Sequence, residues 1–343
     1  MLFLSVDGGA TKTLAACYSE DGTILGVGAA GPSNFRNIGV AAARSNLESA
    51  VRRSLERASA KQQDIKQYTF ALAGVKDSQK STEIIESFVS EMRLGKNVTV
   101  LNDGEAGFNC RFPGTDGIIA APGTGMIAYG RRGEIFDRAS GWGWFIGDEG
   151  GAFYTARRAI QESAKILDGR REINTRVPET LMQFFGVSEP RQLVNVIYKD
   201  PLDIRTIASF AKELSPLAGI GDTLAAEILQ ESAAEAARCI IAIKKRLFSD
   251  IEVQYSGYGG VYRSGEIYWK TLVKTVNEAF PGMQALKPLF GYHAVLGSIY
   301  LVLKSAGKSA EFDLEREIAD LDKHINGLSA EEKEKYLFIK GSV

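Results

Sequence analysis

The chain has 343 residues, is 45% hydrophobic and 24% charged, and carries a net charge of −1; this is the balance of a soluble globular protein too long for one ordinary core, so two domains are expected. The near-neutral charge gives no electrostatic reason for nucleic acid or an anionic membrane as partner, and no apolar run reaches the roughly 18 residues of a membrane span, so neither partner is expected. Three scattered cysteines, Cys17, Cys110 and Cys239, form no CxxC pair and fit reduced thiols in a cytoplasmic protein, while His293 and His324 are too few for a histidine metal site or a Ser-His-Asp triad.

The first apolar run begins at once, without a basic n-region or cleavage pattern, so no signal peptide is read. It ends in Asp7-Gly8-Gly9, a Thr11-Lys12-Thr13 triplet follows, and a second apolar run starts at Leu14. This pattern predicts a β-hairpin with a tight glycine turn. Gly8, Gly9, Thr11, Lys12 and Thr13 then direct backbone N–H groups, two hydroxyls and an ammonium towards one point, which suits phosphate oxygens. Asp7, at the strand end, is placed to hold magnesium directly or through water. Taken alone, the stretch also reads as an ordinary hairpin turn. A third strand over residues 22–30 completes a meander. Inside it Gly26-Val27-Gly28-Ala29-Ala30-Gly31 matches GxGxxG literally, but Pro32-Ser33-Asn34 follows where a dinucleotide site needs a helix to open, so it reads as strand and loop.

A helix is expected over residues 39–60, a strand over 68–73, a helix near 78–93 and a strand over 98–101. That strand runs into Asn102-Asp103-Gly104-Glu105. A carboxylate at a strand's C-terminal end faces the crevice where α/β proteins bind ligands, so Asp103 is a candidate general base for a hydroxyl attacking phosphorus; structurally it is equally a helix N-cap. From residue 117 a second three-strand meander is expected, over 118–121, 126–130 and 134–139, then a helix near 150–167. The repeated start suggests two similar domains with a cleft between them. The second meander turns at Pro122-Gly123-Thr124-Gly125-Met126, a second glycine-threonine turn suited to clamping a polyphosphate through Gly123, Thr124 and Gly125. Gly141-Trp142-Gly143-Trp144 leads to Gly147-Asp148-Glu149-Gly150-Gly151; tryptophan faces and an acidic pair suit a sugar, although a packed aromatic turn reads the same way. Residues 170–247 look like a helical insertion, residues 251–255 a strand, and Ser256-Gly257-Tyr258-Gly259-Gly260-Val261 a turn where adenine slides against the backbone of Gly259 and Gly260. Helices near 264–279 and 292–306 and a charged amphipathic tail over 310–338 complete the chain. No Walker-type phosphate loop occurs.

Together these segments resemble the BadF/BadG/BcrA/BcrD-type ATPase and N-acetylglucosamine kinase family of the actin/hexokinase/Hsp70 superfamily, over roughly residues 2–306. DGGATKT matches the first phosphate motif, PGTG the second, SGYGGV the adenosine motif, NDG the catalytic aspartate, and GWGWFIGDEGG the GWGxxxGDEGS signature. The resemblance implies an α/β fold of two RNase H-like domains closing over ATP–magnesium, here residues 1–115 and 116–310 with a helical tail over 311–343. It implies Asp103 as base, Asn34, Trp142 and Asp148 near the sugar, and a homodimer. Two departures stand out. Met126 replaces the usual serine after GTG, putting one phosphate contact in doubt, and Gly151 replaces the signature's serine, which would enlarge the pocket.

Three function classes follow: a carbohydrate kinase, an ATPase activator of a CoA-ester dehydratase, and a non-catalytic sugar sensor. No cysteine sits in a glycine-flanked cluster motif and Asp103 is present, so the kinase is favoured. Amino sugars such as N-acetylglucosamine are the family's commonest theme. Arg36, in Gly31-Pro32-Ser33-Asn34-Phe35-Arg36, raises a sugar acid such as 2-keto-3-deoxygluconate, because a guanidinium pairs a carboxylate bidentately.

Overall fold

The computed structural model describes residues 1–337 except 77, 96, 200 and 201. The chain divides into two compact units, Met1–Gly114 with Tyr292–Val343, and Thr115–Gly291.

In the first unit, β1 (Leu2–Gly8), β2 (Thr13–Ser19) and β3 (Ile24–Ala30) form an antiparallel meander. β4 (Ile65–Leu72) and β5 (Val98–Asn102) join in parallel on the far side of β1, giving the order β3-β2-β1-β4-β5. β1 is buried from Phe3 to Gly8, as a strand covered on both faces must be. Leu4 and Val6 share a core with Leu47, Ala50 and Val51 of α2 (Val40–Arg57) and with Ile85 and Phe88 of α3 (Gln79–Ser90). The alternate residues, Ser5 and Asp7, face the other side, where α4 (Asp103–Arg111) and α12 (Ala294–Ser305) pack on β1 and β4. The GxGxxG-like run has a packing role. A Cβ on Gly26 would lie 2.5 Å from the backbone nitrogen of Ala58 and 2.6 Å from the carbonyl oxygen of Ser54, so the glycines let α2 lie directly on β3.

The edge strand β3 is clasped by the end of the chain. In α13 (Leu314–Asn326), Asp320 accepts from the Ile24 N–H (2.8 Å) and His324 Nε2 meets the Ile24 carbonyl (2.8 Å). Arg57 of α2 donates to the Val27 carbonyl (2.8 Å) through Nη1 and to both Glu332 carboxylate oxygens through Nη2. Residues 292–310 and the tail thus belong with the first unit, where sequence placed the former in the second domain and treated the latter as surface helices. A long apolar helix advertises a buried face without saying which sheet it covers.

The second unit repeats the meander with β6 (Gly117–Pro122), β7 (Met126–Arg132) and β8 (Ile135–Ser140), and β9 (Tyr255–Gly257) runs parallel to β6 in the order β8-β7-β6-β9. β9 lies later than the strand expected over 251–255. The next helix, α5 (Ala152–Leu167), leaves the sheet and packs among α6 (Val177–Phe185), α7 (Gln192–Ile197), α8 (Ile204–Ser209) and α9 (Ala211–Gly219) around Phe153, Ala156, Leu181, Phe210 and Leu214. The sheet is covered by α10 (Thr223–Leu247), 25 residues long. Its first half, through Leu224, Ala225, Ile228 and Leu229, closes the helical core. Its second half, through Ala233, Ala236, Ala237, Ile240 and Ile243, lies on Ile118, Ala120, Met126 and Ala128. The inserted helices are therefore α5–α9, and α10 is the sheet's own helix, in place of an insertion over 170–247. α11 (Glu266–Ala279) packs beside α10. No helix among the described residues is long and apolar enough to cross a membrane.

Candidate active site

In the first unit the parallel strands bring the candidate residues to one edge. Gly8 pairs with Leu72, and Leu72 with Asn102, so β1 and β5 end level on either side of β4. Two strand spacings separate them, about 10 Å. Asp7 and Asp103 therefore share the C-terminal edge of this triplet, where open α/β sheets place their ligands. Asp103 opens α4 beside the N-cap Asn102, and both side chains accept from the Gly104 N–H at 2.9 Å. Asn102 is held in turn by donating to the Val75 carbonyl at 2.6 Å. The cap is thus Asn102, and Asp103 is half-exposed on the first turn.

The glycine turn is fixed at both ends. The Gly9 N–H donates to the Lys12 carbonyl (3.0 Å), and the Gly9 carbonyl accepts from the N–H groups of Ser33 (3.0 Å) and Asn34 (3.2 Å). Because the peptide is trans, the Ala10 N–H points away from Ser33 and Asn34. A Cβ on Gly9 would meet nothing within 4 Å, so a ligand has room against this backbone. Thr11 lies on the turn, and Thr13 Oγ1 donates to the Gly31 carbonyl (2.8 Å), committing that hydroxyl to the fold. Lys12 Nζ is turned onto the buried Asp7 carboxylate at 2.8 Å. Ser33 Oγ is buried against Gly8 with no hydrogen-bond partner, a polar atom the sequence did not single out.

Asn34 caps the short α1 (Phe35–Ile38), its side chain accepting from the Arg36 N–H at 3.1 Å. Arg36 is exposed on that turn. Asn34 thus joins the edge through the Gly9 carbonyl.

In the second unit the turn Gly123–Gly125 is welded to the start of α5. The Gly123 and Thr124 carbonyls accept from the N–H groups of Ala152 (2.9 Å) and Phe153 (3.0 Å). Those carbonyls fix the opposite direction for the N–H groups of Thr124 and Gly125, which point away from α5. A Cβ on Gly123 would again meet open space. Met126 is 2% exposed and sits in the sheet core, so it does not reach the turn. At Gly151 a Cβ would lie 2.5 Å from the Gly125 carbonyl carbon. The glycine at that position therefore lets two backbones touch, and enlarges no pocket. β9 runs next to β6, and its glycine turn follows the same edge. The Gly259 N–H donates to the Leu289 carbonyl (3.1 Å), and Gly259 packs on the Pro122 carbonyl at φ +147. Gly260 faces open space. Beside it the Arg263 guanidinium covers the half-exposed Phe290 ring, 4.7 Å from its centroid.

The signature loop has two faces. Asp148, at φ +62, accepts from the Gly143 N–H (3.1 Å) and packs its other oxygen on Gly125. Burial, with Glu149 repulsion added, raises its pKa above the ordinary carboxylate value against that one N–H bond. Trp142 and Glu149 line an open groove with Glu235, Arg238 and Cys239 of α10. The structure therefore brings Asp148 to the Gly123–Gly125 turn and Trp142 to the groove beside α10. Trp144 is the less exposed tryptophan, 37% exposed and edge-on to Phe153 at 5.4 Å, so neither tryptophan is a core residue.

Curated relatives match the chain in sequence along most of their length. N-acetylmuramic acid/N-acetylglucosamine kinase of Clostridium acetobutylicum is 26% identical over 285 residues, covering 82% of this chain and 92% of the relative. N-acetyl-D-glucosamine kinase of Dictyostelium discoideum is 26% identical over 304 residues, covering 83% and 93%. Among solved structures, a ROK family glucokinase from Streptomyces griseus in complex with glucose and AMPPNP superposes with a TM-score of 0.58 at 18% identity, covering 88% of this chain and 99% of that one; at that identity it shows the fold alone. The model of the BadF/BadG/BcrA/BcrD ATPase family matches residues 4–301, and the chain belongs to that family.

Proposed function

We propose that this protein is an ATP-dependent kinase that transfers the γ-phosphoryl group to a hydroxyl of an amino sugar of the N-acetylglucosamine type. The observation that carries the reading is the shared strand edge of the first unit. It sets a carboxylate at a helix start, Asp103, about two strand spacings from an open glycine turn. Phosphoryl transfer asks little covalent chemistry of a protein; it asks for a base at the acceptor hydroxyl and for fixed dipoles at the phosphates. Asp103 takes the acceptor proton. The N–H groups of the Gly9 and Gly123–Gly125 turns hold phosphate oxygens, Gly259 and Gly260 let the nucleoside lie close, and Arg263 over Phe290 offers a flat platform for the base. Asn34 and Asp148 are the sugar contacts, and both are already oriented by backbone hydrogen bonds.

Among the described residues no cluster of three or more metal-ligating side chains occurs. That suits magnesium, which arrives with ATP and keeps several waters while using one or two carboxylates. Asp7 fits that donor set, and the ion would supply neutralising charge at the phosphates. The Asp7 carboxylate is counter-charged by Lys12, so metal and lysine share it.

The relatives act on amino sugars by name, and one of them is named for N-acetylmuramic acid as well, whose carboxylate is the kind of group the exposed Arg36 pairs. A coupled ADP-release assay over N-acetylglucosamine, glucosamine, glucose and 2-keto-3-deoxygluconate tests the proposal. Turnover on N-acetylglucosamine well above the other acceptors is expected; sugar-independent ATP hydrolysis alone, or preference for the acid, would overturn it.

A further inference from the structure

In the second unit the glycine turn after β9 is joined to the phosphate turn after β6. Gly259 packs on the carbonyl of Pro122, the residue that leads into Gly123–Gly125, so the two turns meet backbone to backbone. A Cβ on Gly291 would lie 3.6 Å from the Gly259 Cα, and one on Gly260 would meet nothing within 4 Å. Gly259, Gly260 and Gly291 thus make a floor of bare backbone that continues from the phosphate turn. Beside it the Arg263 guanidinium lies over the Phe290 ring, 4.7 Å from its centroid, and Phe290 is 39% exposed. A guanidinium plane backed by an aromatic ring is a surface on which a heterocycle stacks. Stacking is indifferent to the identity of the base, because every base has a π-face.

Telling one purine from another takes more than a plane. Adenine and guanine share their fused rings and differ in the donors and acceptors on their edges, so a site that separates them aims a hydrogen-bonding group at the edge. Here the polar groups of the turn are engaged in the fold. Ser256 Oγ donates to the Leu286 and Lys287 carbonyls (3.1 Å each), the Tyr262 hydroxyl to the Ala120 carbonyl (3.2 Å) and the Tyr268 hydroxyl to the Gly150 carbonyl (2.7 Å). In the backbone, the Gly259 N–H donates to the Leu289 carbonyl (3.1 Å) and the Leu289 N–H to the Gly257 carbonyl (2.8 Å). The Gly260 and Val261 carbonyls accept from the N–H groups of Arg263 (3.1 Å) and Ser264 (2.8 Å). These bonds fix the turn, and the features it offers a base are the bare floor and the guanidinium plane.

Resting on the kinase reading above, we propose that the phosphoryl donor is recognised by the plane of its base and not by the base edge, so that the protein takes purine nucleoside triphosphates alike, GTP as well as ATP. Arg263 is then the residue that sets donor affinity, by stacking and not by its charge.

Titration calorimetry on the full chain, with magnesium and the non-hydrolysable analogues AMPPNP and GMPPNP, tests this. The parent protein should bind the two within about tenfold of each other, whereas a site that reads a ligand's hydrogen-bonding groups rejects the wrong one by about 10⁴-fold or more. Arg263→Ala should weaken both analogues by about tenfold, within the range that stacking contributes per base. Arg263→Lys keeps the charge and removes the plane, and should weaken both as alanine does. A preference of the parent above tenfold overturns the inference. So does a lysine variant that binds both analogues at parent strength, which would assign Arg263 to the charge of the phosphates, or a loss confined to one analogue. The kinase reading stands or falls on a separate arm, phosphoryl transfer from ATP to N-acetylglucosamine. Transfer from ATP with GMPPNP bound more than tenfold more weakly than AMPPNP sinks the inference alone, and equal binding of both analogues without transfer from either triphosphate sinks the kinase reading alone.

Discussion

A side-chain carbon on Gly297 would fall on the carbonyl oxygen of Ala106 and 2.7 Å from the backbone nitrogen of Cys110, so α12 and α4 cross with their backbones in contact. The crossing is pinned below by Cys110 Sγ, which donates to the His293 carbonyl at 3.0 Å. α4 carries Asp103 at its start, so whatever sets this crossing sets the proposed base. Gly297→Ala should cost about 1–3 kcal/mol, the usual penalty of overpacking, read as a lower urea midpoint. It should also lower kcat more than it raises the sugar KM. An unchanged midpoint and kcat would show that the crossing absorbs a methyl group freely.

Asp103→Asn keeps the shape and the helix start and removes the proton acceptor. Turnover should drop by roughly 10²–10⁴, while ATP binding by calorimetry stays near the parent value. Turnover within threefold of the parent would reduce Asp103 to a first-turn residue of α4.

Asp7→Asn should raise the magnesium concentration needed for half-maximal activity and leave Lys12 without its 2.8 Å partner. Thr11→Val should weaken ATP more than sugar. Nucleotide affinity measured with and without magnesium decides both; identical values in parent and variants would remove this turn from the nucleotide site.

The inserted helices hold a pH-sensitive knot. Glu162 is buried among Lys165 (2.7 Å), Arg171 (2.7 Å) and Arg158 (3.3 Å), and the hydrogen bond from Lys165 leads in holding its carboxyl down from 4.5 to about 2. A lowered folded-state value stabilises the protein above the unfolded value of 4.5, and the gain is lost as pH falls from there to about 2. Glu162→Gln should therefore cost about 3 kcal/mol at pH 7, and the gap to the parent should close through that window. A gap independent of pH would mean that packing, and not charge, holds Glu162.

The features legible in sequence are those that local chemistry fixes. A Gly-Gly turn after an apolar run makes a hairpin, and the Asp7–Thr13 and Gly123–Gly125 turns stand where the residues required. The doubled meander was legible for the same reason. What was hidden depends on partners far along the chain. α5 and α10 are both amphipathic, and periodicity reports an apolar face without naming the surface it meets; only the structure shows α10 on the sheet and α5 among the inserted helices. The loop at Gly141–Gly151 reads as one sugar motif, yet Asp148 packs on Gly125 while Trp142 lines a groove with α10. Ser33 carried no signal, because a serine in a loop is ordinary until its burial is known.

The clasp of α13 on β3 sets an order for making the protein. Strands β1–β5 leave the ribosome first, but Asp320 and His324, which close the open edge at Ile24, come some 300 residues later. The whole second unit, Thr115–Gly291, is synthesised in the interval and is continuous in sequence. At roughly 5–20 residues per second, the first sheet waits on the order of ten to forty seconds with an unprotected edge strand. During synthesis the first unit is thus closed only after the second has been made, and its edge strand stays open until then.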